Sequence, residues 1–239
     1  MAPLPVGPSA HAETLHRDGC VLLRGVIPAP WRDALRDEFD AGEKPNSQWP
    51  VPRGPDWRHS LLDLSPTVQE TCRLPELVMA VGALIGEKFF LAQVEGREPL
   101  PGGGHQGLHR DLSSQRPGDT ALAIVFLDDY GPANGATRVV PGSHRRGTLA
   151  DYDDASQSVQ LSGQAGDALV FDADLVHAGS LNVTGARRRS LLMTFFAEPL
   201  YASHLKTAHL RSIRMEAAWY LPSSAMGAMS SESSRASVP

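Results

Sequence analysis

His109-Arg110-Asp111 sets an imidazole and a carboxylate two residues apart. In an extended strand such residues project to the same face, so both can turn toward one point while Arg110 turns away. A third donor follows in Val176-His177-Ala178-Gly179, after the turn Asp172-Ala173-Asp174. Two imidazoles and one carboxylate on one side of a metal leave its other side open, the ligand set associated with Fe(II) oxygenases. His109, Asp111 and His177 are therefore the expected metal ligands. The tripeptide alone carries little. His16-Arg17-Asp18 repeats it with no partner histidine in reach, and reads as a surface or capping element.

A second chemical feature is Arg187-Arg188-Arg189-Ser190, which opens the run Leu191-Leu192-Met193-Thr194-Phe195-Phe196. Strand parity puts Arg188, Ser190, Leu192 and Thr194 on one face, and Arg189, Leu191, Met193 and Phe195 on the other. An arginine with a hydroxyl two residues on makes a carboxylate clamp, a bidentate fork plus one further hydrogen bond. If that face looks into a barrel, a buried Arg188 needs an anionic partner. A dicarboxylate that chelates iron at one end and reaches Arg188 with the other meets the need. Arg187 and Arg189 read as a solvated patch.

These residues sit among short apolar runs separated by Gly, Pro, Asn and Asp: 89–94, 121–127, 137–140, 159–161, 168–171 and 191–197. That spacing predicts an all-β barrel or sandwich rather than alternating βαβ units. Ahead of it come a strand at 20–23 between Gly19 and Gly25, and a helix at 31–39 with apolar residues at helical spacing. A second helix is expected at 76–85, ending at Gly86. Residues 1–12 read as loose and 41–58 as an irregular excursion, a loop length that is often functional. The expectation is one domain over 1–222: a helical section to about 88, a β core over 89–199 and an extension over 200–222. Residues 223–239, rich in Ser, Ala, Gly and Met, are expected to be a disordered tail.

Composition narrows the partners. With 22 basic and 27 acidic residues the formal charge is −5, which offers no general attraction to nucleic acid or anionic membrane. Two cysteines, Cys20 and Cys72, are too few for a disulfide scaffold and form no zinc motif. Residues 1–12 lack the charged-then-apolar pattern of a signal peptide. The expectation is a cytoplasmic protein, monomer or homodimer, acting on a small molecule.

Three segments together resemble the phytanoyl-CoA dioxygenase-like (PhyH) branch of the Fe(II)/2-oxoglutarate oxygenases. They are Arg17-Asp18-Gly19-Cys20-Val21-Leu22-Leu23-Arg24-Gly25-Val26, then Leu127-Asp128-Asp129-Tyr130 with Asn134-Gly135 and Pro141-Gly142-Ser143-His144, and then Gly166-Asp167 through His177 to Arg188. The resemblance spans about 16–199 and implies a mainly β protein with flanking helices, a double-stranded β-helix (jelly roll, cupin-like). It implies Fe(II), 2-oxoglutarate and O2 as cofactor and co-substrates, with succinate and CO2 as co-products.

The family's distal histidine is followed by an arginine at the spacing filled by Arg188 rather than Arg187 or Arg189. Gln93 matches a polar residue that contacts the co-substrate in relatives, and Thr120 or Ser180 is a further candidate. His144 closes a structural turn in the family pattern, and Leu112 departs from a hydroxyl-bearing residue that some relatives carry. Asp111 stands where the halogenating subgroup has a small residue, so hydroxylation or a related oxidation is expected. On the substrate side the candidates are Trp49, Arg53, Trp57, Arg58 and His105, with Glu95, Arg97, Glu98 and the segment 201–220 nearby. The substrate is expected to be an amino acid or secondary-metabolite intermediate, with a CoA thioester left open. Two other readings compete: a metal-dependent β-barrel hydrolase, which has no use for an Arg188 clamp, and a barrel that binds a ligand without turnover.

Overall fold

A computed structural model describes residues 8–49, 51–61, 65–86, 88–111, 117–145, 149–152, 155–211 and 219–220. The expected tail at 223–239 and Leu112 lie outside the described residues. Ten strands are described: β1 (Cys20–Leu23), β2 (Trp57–Arg58), β3 (Phe89–Arg97), β4 (Thr120–Phe126), β5 (Thr137–Val139), β6 (Val159–Gln160), β7 (Ala168–Asp172), β8 (His177–Gly179), β9 (Ser190–Ala197) and β10 (Trp219–Tyr220). The helices are α1 (Pro8–Asp18), α2 (Trp31–Ala41), α3 (Pro66–Thr71), α4 (Pro75–Ile85) and α5 (Tyr201–Thr207). The larger antiparallel sheet runs β1-β7-β4-β9-β3-β10 with β2 also on β3, and the smaller runs β6-β5-β8.

Alternation along the strands decides what each face meets. Ala121, Ala123 and Val125 of β4, Ala168 and Val170 of β7, and Leu191, Met193 and Phe195 of β9 join a core with Leu15, Leu35, Phe39, Leu77 and Val81 from the helices. The intervening Ile124, Phe126, Leu169 and Phe171 form a second core with Val139 and Leu175. The large sheet thus carries helices on one face and the small sheet on the other, the double-stranded β-helix that the motifs imply. Among the described residues no helix is long and apolar enough to cross a membrane.

Strand β3 needs a break in this alternation. Leu91 pairs with Phe195, Gln93 with Thr194, and the register shifts between them, so one extra residue bulges out. Leu91 and Val94 point to the helix-side core. Gln93, Glu95 and Arg97 turn to the opposite face and line a cavity. Without the bulge Gln93 would follow Leu91 into the core. Gly96 keeps β3 against α2: a Cβ there would lie 2.6 Å from Phe39 and 2.9 Å from Leu61.

Two expectations need correction, and two elements add to what was expected. Residues 8–12 are not loose, because α1 already starts at Pro8 and buries Leu15; His16-Arg17-Asp18 is its last turn. The C-terminal extension does more than flank the barrel, since β10 adds a strand to β3. The short α3 has a sequence signal that went unread: Ser65 caps it by accepting from Val68 N at 3.1 Å, and Pro66 follows. Arg187 and Arg189 are not a solvated patch. Arg189 meets Asp128 through Nε (2.9 Å) and Nη2 (2.8 Å), and both arginines reach Asp40 of α2 at 2.9 Å. Asp128 also accepts from the Arg189 backbone N–H at 2.9 Å and lies 3.3 Å from Arg36. This network ties α2 to the root of β9.

Burial would raise the Asp128 carboxyl, but its hydrogen bonds from Arg189 outweigh this and hold it below the usual carboxylate range. A depressed folded value means stability that is present above the unfolded value, about 3.9, and lost as pH falls through the folded one. Asp128→Asn is expected to cost about 1–3 kcal/mol near neutral pH, with the gap to wild type closing below pH ~4 in denaturant titrations. An equal gap at pH 7 and pH 3 would contradict this. Gly96→Ala is expected to cost about 1–3 kcal/mol through overpacking, read as a lower denaturation midpoint.

Candidate metal centre and its cavity

His109 lies outside any regular strand, a departure from the parity reading, and meets His177 in an isolated antiparallel bridge. The pairing is reciprocal: His109 N–H donates to His177 O at 3.0 Å, and His177 N–H to His109 O at 2.9 Å. Asp111 N–H then donates to Ala173 O at 3.1 Å. Arg110 turns away and staples the same segments, donating from Nε to Asp174 O (2.8 Å) and from Nη2 to Ser143 O (3.0 Å). The Pro-Gly-Ser-His turn acts here as well, because Ser143 Oγ accepts from Val176 N–H at 2.8 Å, one residue before His177.

The side chains converge. Donor atoms of His109, Asp111 and His177 all lie within 4.8 Å of one another. His109 Nε2 is 3.7 Å and His177 Nε2 is 3.6 Å from the Asp111 carboxylate. Each Nδ1 sits 2.9 Å from a backbone carbonyl, Gly107 O for His109 and Leu175 O for His177. A carbonyl only accepts, so both Nδ1 atoms carry the proton and both Nε2 lone pairs face Asp111, the arrangement of metal-binding imidazoles. Burial also holds His177 below the ordinary imidazole range, keeping it neutral and able to donate a lone pair. The set of donors fits a divalent metal ion.

Beside it opens a cavity of about 490 Å³ whose lining includes the triad, Arg188, Ser190, Gln93, Thr120, Arg53 and Trp57. Arg188 is 3 % exposed. Its guanidinium donates to Tyr130 Oη, its carbon lies 4.4 Å from the Tyr130 ring centre, and its Nε is buried without a partner. Burial pulls Arg188 down to about 9, and the neighbouring positive charge of Arg97 adds to this. A buried cation with spare donors and, among the described residues, no ion pair suits an anionic ligand.

Two expected hydroxyls are engaged within the protein. Ser190 Oγ donates to Arg97 O at 3.1 Å, and Thr120 Oγ1 to Asp119 at 2.9 Å. Ser180 donates to Gln160 at 3.1 Å and is not among the residues lining the cavity. On the substrate side, Trp57 lies between Arg53 and Arg97, whose guanidinium carbons are 4.6 and 5.2 Å from its ring. Arg53 pairs with Glu95 at 3.2 Å, and Arg97 with Asp56 at 3.3 Å. Trp49 lines a smaller neighbouring cavity of about 250 Å³ with His59, Thr207 and Leu210, which shares Arg53, Gln93 and Glu95 with the first as wall residues.

Four residues singled out in the sequence fall elsewhere. Arg58 is buried over the Phe39 ring and donates to Pro55 O and Trp57 O, so it shapes the loop instead of lining the cavity. His105 is exposed, and its neighbour Gln106 takes the lining position. Glu98 pairs with Arg187 at 2.5 Å. His144 packs against Gly19, away from the triad. Among the lining residues that sequence reasoning passed over is Tyr130. It stood inside the quoted Leu127-Asp128-Asp129-Tyr130 motif, but a tyrosine at a turn gives no sign of which way its ring goes.

Comparison with known proteins agrees with this geometry. The family profile "Phytanoyl-CoA dioxygenase (PhyH)" matches residues 15–190. The iron/alpha-ketoglutarate-dependent dioxygenase ausU of Aspergillus calidoustus is 30 % identical over 212 residues, covering 76 % of this chain and 68 % of that protein. The similarly named okaE of Penicillium ochrochloron is 26 % identical over 206 residues, with the same coverage. Among solved structures, EctD from S. alaskensis with bound Fe superposes with a TM-score of 0.68 at 18 % identity, over 82 % of this chain and 79 % of that one. The epimerase SnoN from nogalamycin biosynthesis gives 0.66 at 20 % identity, over 80 % and 84 %. The solved structures support the fold, and the profile match covers most of the chain. The chain belongs to the phytanoyl-CoA dioxygenase (PhyH) family.

Proposed function

We propose that the protein is an Fe(II)- and 2-oxoglutarate-dependent dioxygenase that oxidises a C–H bond of a small molecule, with succinate and CO2 as co-products. The observation that carries this is one cavity holding both the His109–Asp111–His177 donor set and a buried Arg188 that forms no ion pair among the described residues. Relatives named as iron/alpha-ketoglutarate-dependent dioxygenases support it. His109, Asp111 and His177 would hold Fe(II) through Nε2, carboxylate and Nε2. Arg188 would take the far carboxylate of 2-oxoglutarate, with Gln93 and Thr120 on the same wall. When bound, Fe(II) with 2-oxoglutarate supplies the redox chemistry that couples O2 reduction to substrate oxidation. The protein's part is binding, orientation and exclusion of water.

The fixed Nδ1 hydrogen bonds keep each imidazole in one tautomer and one orientation, so the donors are preorganised. The substrate wall has its own logic. Arg53 and Arg97 are each paired with an acid of the protein, and Trp57, Leu122, Leu192 and Phe196 add apolar area. A small, largely uncharged metabolite fits this wall better than an amino acid or a CoA thioester, whose charges would have to break existing pairs. A hydrolase reading is not favoured, because it leaves Arg188 buried with no ion pair among the described residues.

Succinate release, measured across a panel of small metabolites, tests the activity. 2-Oxoglutarate should be converted slowly even without a true substrate and faster with one. Arg188→Ala should raise the KM for 2-oxoglutarate by about thirtyfold or more, the loss expected when a buried charge partner is removed. An unchanged KM would remove Arg188 from the co-substrate site. His177→Ala and Asp111→Ala should each fail to retain stoichiometric iron by metal analysis. Retention at the wild-type level would place the metal elsewhere.

A further inference from the structure

We propose that Tyr130 supplies the second donor of the carboxylate clamp, acting with Arg188 in the role that Ser190 was expected to fill. The inference rests on the reading that Arg188 binds the far carboxylate of 2-oxoglutarate. It follows from counting donors and acceptors around the guanidinium. A guanidinium has five N–H donors and no acceptor, and a phenol has one O–H donor and an oxygen that accepts. Arg188 Nη1 donates to Tyr130 Oη, so the phenol oxygen is the acceptor and its own hydrogen must point elsewhere. Among the described residues nothing accepts that hydrogen, and Arg188 makes no side-chain hydrogen bond other than this one, which leaves Nη2 free while Nε is shielded from solvent. Two neighbouring residues that line one cavity therefore present spare donors side by side. A carboxylate, with two oxygens and several lone pairs, is the complementary group.

Two other hydroxyls on this wall are engaged elsewhere. Ser190 is committed to Arg97 O and Thr120 to Asp119. Tyr130 alone among the cavity's hydroxyl-bearing residues has a hydrogen bond to Arg188. It is also held rigidly. Its ring stacks on Phe126 with centroids 3.8 Å apart and planes 2° from parallel. Its backbone exchanges two 2.9 Å hydrogen bonds with Gly163. Gly163 itself leaves room for the stack, since a Cβ there would come within 2.6 Å of Phe126. The donor pair is thus set before the ligand arrives, and little ordering entropy is lost on binding.

The test measures equilibrium binding to the Zn(II)-loaded protein by calorimetry, so no turnover is needed. Two ligands are compared: 2-oxoglutarate, and 2-oxopentanoate, which keeps the keto acid but lacks the far carboxylate. Tyr130→Phe removes one oxygen and keeps the ring stack. It should weaken 2-oxoglutarate about tenfold or more, the loss of one hydrogen bond to a charged group, and leave 2-oxopentanoate unchanged. Affinity for 2-oxoglutarate within twofold of wild type would overturn the proposal. So would an equal loss for both acids, which marks a purely structural role.

Arg188→Gln separates the two claims. If it binds 2-oxoglutarate as wild type does, the reading of Arg188 fails. If it loses affinity while Tyr130→Phe does not, only the Tyr130 proposal fails. Should Tyr130→Phe not fold, the wild-type protein gives the answer through its tyrosine ultraviolet difference spectrum. A perturbation with 2-oxoglutarate and none with 2-oxopentanoate supports the donor role, and identical spectra overturn it.

Discussion

A single buried positive charge governs this structure. Arg188, just ahead of β9, lies against a cavity with its guanidinium over Tyr130, and among the described residues it forms no ion pair. Leaving a charge buried and unpaired is costly. Its two neighbours in sequence show the usual solution, since Arg187 and Arg189 are matched by Asp40, Glu98 and Asp128. The same segment therefore pairs two arginines internally and reserves the third for something that enters from outside. The internal pairs anchor the segment that carries Arg188, fixing β9 to α2 and to Asp128. The helical layer thus serves the site, although it contributes no residue to the larger cavity's lining.

The metal end is built by the opposite device, from backbone pairing instead of charge. The reciprocal bonds between His109 and His177 lock together two segments far apart in sequence. Arg110 and Ser143 then tie both to the turn before β8. Both imidazoles are thus oriented by carbonyls and the segments that carry the donors are paired through their backbones, which is how a site on loops acquires the rigidity of one on strands. Exposure rises from His177 at 9 % of its side chain through His109 at 31 % to Asp111 at 46 %.

Much of this was legible in the residues. The alternation in 191–196 assigned Arg188, Ser190, Leu192 and Thr194 to one face, and that face lines the cavity. Spacing alone brought out the six core runs and the helices at 31–39 and 76–85, because regular elements advertise their period. Three kinds of information were not local. The bulge in β3 turns Gln93, Glu95 and Arg97 toward the cavity, and one extra residue in a run of apolar side chains has no signature. The commitment of Ser190 to Arg97 O depends on cross-strand register, which single-strand parity cannot supply. Arg58 and His105 were chosen for their chemistry in an irregular segment, and there side-chain direction depends on tertiary contacts such as the Phe39 ring beneath Arg58. Tyr130 is the converse case, a residue inside a recognised motif whose role appears only when Arg188 is placed beside it.

The central claim is that one cavity binds Fe(II) and 2-oxoglutarate together, through the His109–Asp111–His177 set and Arg188. An anaerobic titration of the protein with Fe(II) and 2-oxoglutarate, followed by visible absorption, addresses it most directly. A charge-transfer band that needs both components, saturates at one equivalent of iron and is lost in Asp111→Ala is the predicted result. No band with wild-type protein, or an undiminished band in Asp111→Ala, would contradict the account.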